Sequence, residues 1–91
     1  MDDVIKVKIY TPEGVYLETE CVELSSRNIL GEFNILASHT NFITNINDNV
    51  ILIGKDGAKN EIPVQMGVLR ITDNTMEVYL VLSPIIKPTE R

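Results

Sequence analysis

Hydrophobic and polar residues alternate from the start of the chain. In VIKVKIY, Ile5, Val7 and Ile9 point one way while Lys6, Lys8 and Tyr10 point the other. A period of two is the signature of a β-strand with one face on a core and the other toward solvent. The sequence therefore opens with a half-buried strand.

Short segments of the same kind recur along the chain, separated by turn signals. Proline, glycine, asparagine and aspartate cluster at 12–14, 47–49, 55–57 and 73–74. Between them lie strand-length segments rich in β-branched residues: VILI at 50–53, EIPVQ at 61–65, GVLRI at 67–71 and MEVYLVL at 76–82. No helical period is present. The pattern predicts an all-β fold of about eight to ten short strands, either a sandwich of two antiparallel sheets or a barrel.

Three local features sharpen that prediction. VYLETECVELSS is expected to run as one extended segment, with Val22 and Leu24 opposing Cys21. Pro63 lies inside a strand-like run, so its strand should be an edge or carry a bulge. The prolines near the C-terminus predict that 84–91 leaves the sheet as an exposed tail.

Composition limits the class of protein. Ninety-one residues make a single domain over 1–91, and 44% hydrophobic with 23% charged residues is ordinary for a globular chain. The formal charge of -5, with basic residues spread singly, disfavours nucleic acid and anionic lipid as partners. We expect no direct membrane insertion, no secretion signal and, with one cysteine, a reducing cytoplasm.

Catalytic and cofactor signatures are missing from the sequence. His39 is the only histidine and has no nucleophile at an informative spacing, and a zinc site needs more His and Cys ligands than the chain holds. Cys21 lies between acids that would raise its pKa, so it is interpreted as a small half-buried residue. The five glycines are too scattered for a phosphate loop. We expect no enzyme activity, cofactor or metal.

Two strands carry more apolar surface than one core requires. VILI and MEVYLVL are apolar at both alternating sets of positions, which places Tyr79 and Val81 on the side away from the core. Exposed apolar strand surface usually marks a protein interface.

Taken in order, the segments VKIYTPEGVYL, GEFNILASHTNFIT and VQMGVLRITDNTMEVYL resemble the N-terminal β-sandwich domain of the epsilon subunit of F-type ATP synthases. The resemblance covers about residues 4 to 83. The family signature, approximately G-E-F/L-G-I-L/Y-P-G-H-x-P-L/F-I/L-T, is matched at nine positions: Gly31, Glu32, Phe33, Ile35, Leu36, His39, Phe42, Ile43 and Thr44. Asn34, Ala37, Ser38 and Asn41 depart from it.

The resemblance implies a non-catalytic central-stalk subunit. Its partners would be the gamma subunit, a c-ring or another rotor-base protein and, indirectly, the alpha/beta hexamer, at the cytoplasmic side of a membrane. Glu32 and His39 are implied to face the ring, and Thr11, Thr44, Gln65 and the strand from Phe42 to Ile46 to meet gamma. The family's C-terminal helical hairpin would follow the sandwich, and because the sequence given stops at Arg91 we expect the inhibitory hairpin to be lacking. The alternative is a free-standing β-sandwich module that binds a peptide or a sugar.

Overall fold

The protein folds as two layers of β-sheet. The computed structural model describes residues 4–38 and 41–82 and contains nine strands and no helix within them. The strands are β1 (Ile5–Thr11), β2 (Gly14–Cys21), β3 (Glu23–Asn28), β4 (Gly31–Leu36), β5 (Phe42–Ile46), β6 (Val50–Ile53), β7 (Lys59–Ile62), β8 (Val64–Thr72) and β9 (Thr75–Leu82). The predicted all-β sandwich of eight to ten strands is confirmed.

One sheet has five strands in the order β2-β1-β9-β8-β5, and the other has four in the order β4-β3-β6-β7. Every pair is antiparallel except β1 with β9, which run parallel. The parallel pair joins the first and the ninth strand. The middle of this sheet is therefore held by hydrogen bonds between distant parts of the sequence. The alternation that predicts each strand carries no information about this pairing.

The core lies between the sheets. Alternate residues of the strands point inward, and sixteen of them form one buried cluster: Ile5, Val7, Ile9, Cys21, Leu24, Ile35, Ile46, Val50, Leu52, Ile62, Val64, Leu69, Ile71, Met76, Val78 and Leu80. Burying a Val, Leu or Ile side chain is worth about 1.5–3 kcal/mol each, which makes this cluster the main stabilising element. The predicted inward set of β1 is confirmed.

The chain changes sheet at two points where the sequence looks continuous. VYLETECVELSS is not one strand, because the run breaks at Val22 and both Cys21 and Leu24 are buried. The Val22 N–H instead donates to the Ile53 carbonyl at 2.8 Å, which ties the crossing to β6. The predicted opposition of Cys21 and Leu24 is therefore wrong: the alternation restarts when the chain enters the second sheet.

Pro63 marks the second crossing. It separates β7, an edge strand of the four-stranded sheet, from β8 in the other sheet, and the register of β8 against β9 shifts between Val64 and Met66. A proline has no N–H to give to a sheet ladder, so it fits a position between two sheets. The predicted single strand over 61–65 is therefore wrong: the run is divided between the edge strand β7 and the start of β8, and the bulge lies after Pro63, between Val64 and Met66.

The turn between β8 and β9 contains two residues, Asp73 and Asn74, with φ of 51° and 61°. Positive φ at both central positions defines the two-residue hairpin turn whose twist matches that of the strands, and Asp and Asn tolerate positive φ.

Gly67 in β8 is required because the neighbouring strand comes too close for a side chain. A Cβ at this position would lie 2.7 Å from the Tyr79 carbonyl oxygen and 2.9 Å from the Leu80 Cβ.

Cys21 is fully buried at the end of β2, with 1% of its surface exposed, rather than half-buried. Burial raises the pKa of its thiol from 9.0 to about 11, and the charge of Glu23 acts in the same direction. The thiol is a core group.

The predicted tail at 84–91 lies outside the described residues. Within the part of the chain that the structure describes, no helix is long and apolar enough to cross a membrane.

Candidate docking surface

The outer face of the five-stranded sheet has a charged zone, which also carries the exposed Ile43 beside Arg70, and an apolar zone. In the charged zone the register places Lys8 opposite both Glu18 and Glu77, and Arg70 opposite Glu77. Lys8 Nζ lies 3.0 Å from the Glu18 carboxylate, and Arg70 lies 2.5 Å from that of Glu77. These ion pairs raise the pKa of Lys8 and of Arg70 above their ordinary values.

One rung further along, the same strands carry apolar side chains. Tyr10 lies opposite Val15 on one side and Tyr79 on the other, and Tyr79 lies opposite Val68. Met66 and Val81 form the next pair. We call these six residues the apolar patch: Tyr10, Val15, Met66, Val68, Tyr79 and Val81.

The apolar patch is exposed although its members are large. Met66 is 57% exposed, Tyr79 48% and Val81 41%. The rings of Tyr10 and Tyr79 stack with centroids 4.8 Å apart and planes 7° apart. The exposure of Tyr79 and Val81 that the sequence predicts is confirmed, and the stacked pair gives the patch a flat floor.

A residue of the other sheet closes one side of the patch. Ile29, in the turn between β3 and β4, lines a groove of about 770 Å³ together with Tyr10, Met66, Val68, Tyr79 and Val81. We call this depression the groove. Apart from the two tyrosines, none of its lining residues is ionisable: Thr11, Pro12, Asn45, Ile46, Asn47, Gly67 and Leu80 complete the lining.

The turn that presents Ile29 is held by its neighbour Asn28. The Asn28 side-chain oxygen accepts the Leu30 N–H at 2.8 Å, and its amide nitrogen donates to Thr44 Oγ1 at 2.9 Å. Gly31 follows with φ of 124°. Ile29 is 88% exposed and Leu30 92%, so a preorganised turn holds two aliphatic side chains in water.

The outer face of the four-stranded sheet is mixed: Leu36, Ile51 and Ile53 lie on it, and the part around Arg27, which we call the polar face, carries charged and amide side chains. Arg27 pairs with Glu32 at 3.0 Å and with Asp48 at 3.3 Å. Asn34, which stands where the family signature has glycine, donates to Glu23 at 2.7 Å and accepts from Ser25 at 3.2 Å. These side chains bind one another and keep further donor and acceptor sites open to a partner.

Comparison with known proteins identifies the fold family. The family of the ATP synthase delta/epsilon chain β-sandwich domain matches residues 4–80. The chain belongs to this family. Among curated relatives, the ATP synthase epsilon chain of Clostridium botulinum strain Hall is 33% identical over 91 residues, which cover 99% of this chain and 67% of the relative. That of Citrifermentans bemidjiense is 28% identical over 80 residues, covering 88% of this chain and 58% of the relative.

Solved structures share the same fold. A chain of the Euglena gracilis mitochondrial ATP synthase, in a structure with the c-ring, superposes with a TM-score of 0.80 at 14% identity over 88% of this chain and 52% of that one. A chain of the Tetrahymena thermophila mitochondrial ATP synthase central stalk and c-ring gives 0.70 at 16% identity, covering 84% of this chain and 62% of that one. The chain spans between about half and two thirds of the length of the curated relatives and solved chains that it matches.

Six interface residues are predicted from the epsilon-family resemblance, and the five that the structure describes do not lie on one surface. Thr11 ends β1 and lines the groove, where its Oγ1 accepts the Glu13 N–H at 3.3 Å. Phe42 and Thr44 point inward, because they pair with the buried Ile71 and Leu69. Phe42 packs on the core and meets Phe33 edge to face at 6.1 Å.

The remaining three predicted residues lie elsewhere. Gln65 is exposed at the bulge of β8, next to Met66. Glu32 is exposed on the polar face and paired with Arg27. His39 lies outside the described residues. The predicted roles of all six at an interface stay predictions.

Sequence reasoning missed Ile29, Met66 and Val68 as surface residues. For Val68 the signal was present, since it alternates with the inward Leu69. For Ile29 the signal was its place between Asn28 and Gly31, where a turn leaves large side chains without a core to enter. Within 4–38 and 41–82, no three His, Cys, Asp or Glu residues are grouped so as to hold a metal ion.

Proposed function

We propose that this chain is the β-sandwich part of an epsilon-type rotor subunit of a rotary ATP synthase or ATPase, that it is non-catalytic, and that it docks on the gamma subunit through the apolar patch. The observation that carries the proposal is the patch itself. It places six apolar side chains on a sheet face that the core does not use, in a chain of the epsilon family.

The physical reason is the free energy of hiding that surface from water. Burial of apolar area is worth roughly 25 cal/mol per Å², and aromatic residues are enriched at the centres of protein interfaces. Tyr10 and Tyr79 are already stacked in the free chain, so little side-chain entropy is lost when a partner covers them. A preformed apolar floor bordered by paired charges suits a permanent protein contact.

A second contact is proposed at the polar face. Glu32 projects beside the turn of β3 and β4, and Arg27 holds its carboxylate at 3.0 Å. This end of the sandwich would meet the next rotor element, a c-ring or another rotor-base protein, and His39 is assigned to the same contact from the family resemblance alone. The alpha/beta hexamer would be reached through gamma, and the subunit would work at the cytoplasmic side of the membrane.

Binding to the purified gamma subunit of the same organism tests the proposal. Isothermal calorimetry should give a complex with the unchanged chain and a large loss of affinity for Val68→Ser with Tyr79→Ser. Lys6→Ala, in the charged zone of the same face, is the matched control and should bind normally. If the unchanged chain fails to bind gamma, or the double variant binds as tightly as the control, the proposed function is wrong.

Hydrogen exchange locates the contact of β5. Because β5 is an edge strand, its amides are expected to gain protection in the complex, together with those around Gln65. Equal protection of Phe42–Ile46 in the free and bound chain would place gamma elsewhere.

The alternative function is a free-standing module that binds a peptide or a sugar. The groove favours the peptide over the sugar, because its lining is apolar. A stable monomer that does not bind gamma but binds an apolar peptide would support this alternative.

A further inference from the structure

We infer that the partner fills the groove with one face of a single α-helix, which lies on the apolar patch with Ile29 as its side wall. This inference rests on the proposed function, and it specifies the secondary structure and the chemistry of the element that docks.

The first argument concerns the backbone of the groove floor. Tyr10, Tyr79 and Val68 belong to β1, β9 and β8, which all lie inside the five-stranded sheet with a strand on each side. Their N–H and C=O groups are used in the sheet ladders, so a partner strand cannot add to them. The floor offers side chains only, and a helix is the element that needs only side chains because its own backbone is already paired.

The second argument concerns dimensions. The register places Val15, Tyr10, Tyr79 and Val68 side by side, and neighbouring strands are about 4.8 Å apart, so this apolar row is about 14 Å wide. A helix with its side chains is about 10–12 Å in diameter. Ile29 rises from the other sheet at the edge of this floor, which turns a flat face into a trough for one helix rather than a platform for a second sheet.

The third argument concerns charge. Since the groove is lined without acidic or basic side chains, a charged residue placed there would lose its water without gaining a partner. The docking face of the helix is therefore uncharged, with apolar residues three and four positions apart. The ion pairs of Lys8 with Glu18 and Arg70 with Glu77 border the patch at one end, and polar residues of the helix would lie over them.

Photo-crosslinking tests the helix directly. A benzoylphenylalanine placed at Val68 or at Tyr79 would be irradiated in the complex with purified gamma, and the linked gamma residues mapped by mass spectrometry. We expect linked positions that are three, four and seven residues apart in gamma. A probe at Thr72, on the outer face of β8 but outside the groove, is the control and should not link at the same positions.

The outcomes separate this inference from the proposed function. Linked gamma positions two residues apart would mean that gamma docks with a β-strand added beside β5. This result would contradict the proposed helix but would leave gamma as the partner. Links from one copy of this chain to another would mean that a second copy covers the groove. If gamma does not bind the unchanged chain, the proposed function and the helix fail together.

A matched pair of variants tests whether Ile29 forms the side wall of the groove. Ile29 and Leu30 are adjacent, aliphatic and about equally exposed, but only Ile29 lines the groove. Ile29→Ser should raise the dissociation constant for gamma about tenfold, whereas Leu30→Ser should leave it unchanged. Equal effects of the two variants, or none from Ile29→Ser, would contradict the proposed trough.

Discussion

The rings of Tyr10 and Tyr79 stack face to face, 4.8 Å apart, across the parallel pair of β1 and β9. Each ring lies on the water-exposed side of its strand, so the contact cannot be a by-product of core packing. The stack fixes the floor of the groove before any partner arrives.

We predict that the stack also stabilises the free chain. Tyr10→Ala, Tyr79→Ala and the double variant form a cycle, and the coupling between the two rings is expected to be about 0.5–1.5 kcal/mol. Urea denaturation followed by circular dichroism measures it. Strictly additive effects of the two substitutions would mean that the rings merely lie near each other.

The close approach at Gly67 gives a second prediction. A Cβ there would meet the Tyr79 carbonyl oxygen at 2.7 Å, and since this atom belongs to the neighbouring strand it cannot move freely. Gly67→Ala should cost about 1–3 kcal/mol of stability. Gly54→Ala is the control, because a Cβ at that position would meet first the flexible Asp56 carboxylate, at 3.1 Å. A melting temperature as high for Gly67→Ala as for Gly54→Ala would refute the argument.

Glu32 should matter for coupling and little for folding. Its removal leaves Arg27 paired with Asp48 at 3.3 Å, so Glu32→Ala, alone or with His39→Ala, should change the free energy of unfolding by under about 0.5 kcal/mol. Ile35→Ala in the same strand is buried and should cost about 2–5 kcal/mol. In the assembled enzyme, the Glu32 and His39 variant is expected to weaken the coupling of ATP turnover to ion transport. Loss of the folded state in that variant would show that these residues are structural.

The buried thiol predicts how stability depends on alkaline pH. The folded pKa of Cys21 is raised to about 11, so the unfolded chain gives up this proton first as the pH rises above about 9. Stability from the neutral thiol is fully present below pH 9 and falls between about 9 and 11, by up to about 3 kcal/mol. Denaturation at a series of pH values, compared with Cys21→Ala, measures this. The same decline in both proteins would assign it to other groups.

The parts of the fold that depend on neighbours in sequence were predictable. Alternation located the inward residues of β1 and the outward Tyr79 and Val81 of β9, and Asp73 with Asn74 located a turn because only a few residue types tolerate positive φ. The epsilon-family motif then supplied the sandwich.

The parts that depend on distant segments were not predictable from alternation. No proline or glycine lies next to Val22 to mark the change of sheet. At this point the Val22 N–H donates to the Ile53 carbonyl of the other sheet. The inward direction of Phe42 and Thr44 follows from the pairing of β5 with β8, which the sequence does not state. Ile29 escaped notice for the same reason, since only the folded chain brings it beside the apolar patch.

The parallel pairing of β1 with β9 has a consequence for synthesis on the ribosome. As the protein emerges from its N-terminus, β1 can pair early with β2, but its other edge stays open until β9 has left the exit tunnel. Contacts so far apart in the chain also slow folding, because a long loop must close first. A ribosome-bound chain arrested before β9 emerges is therefore expected to be cut by protease within β1 and β2, and one arrested well after it to resist. Early resistance would mean that another segment of the nascent chain shields this edge in the meantime.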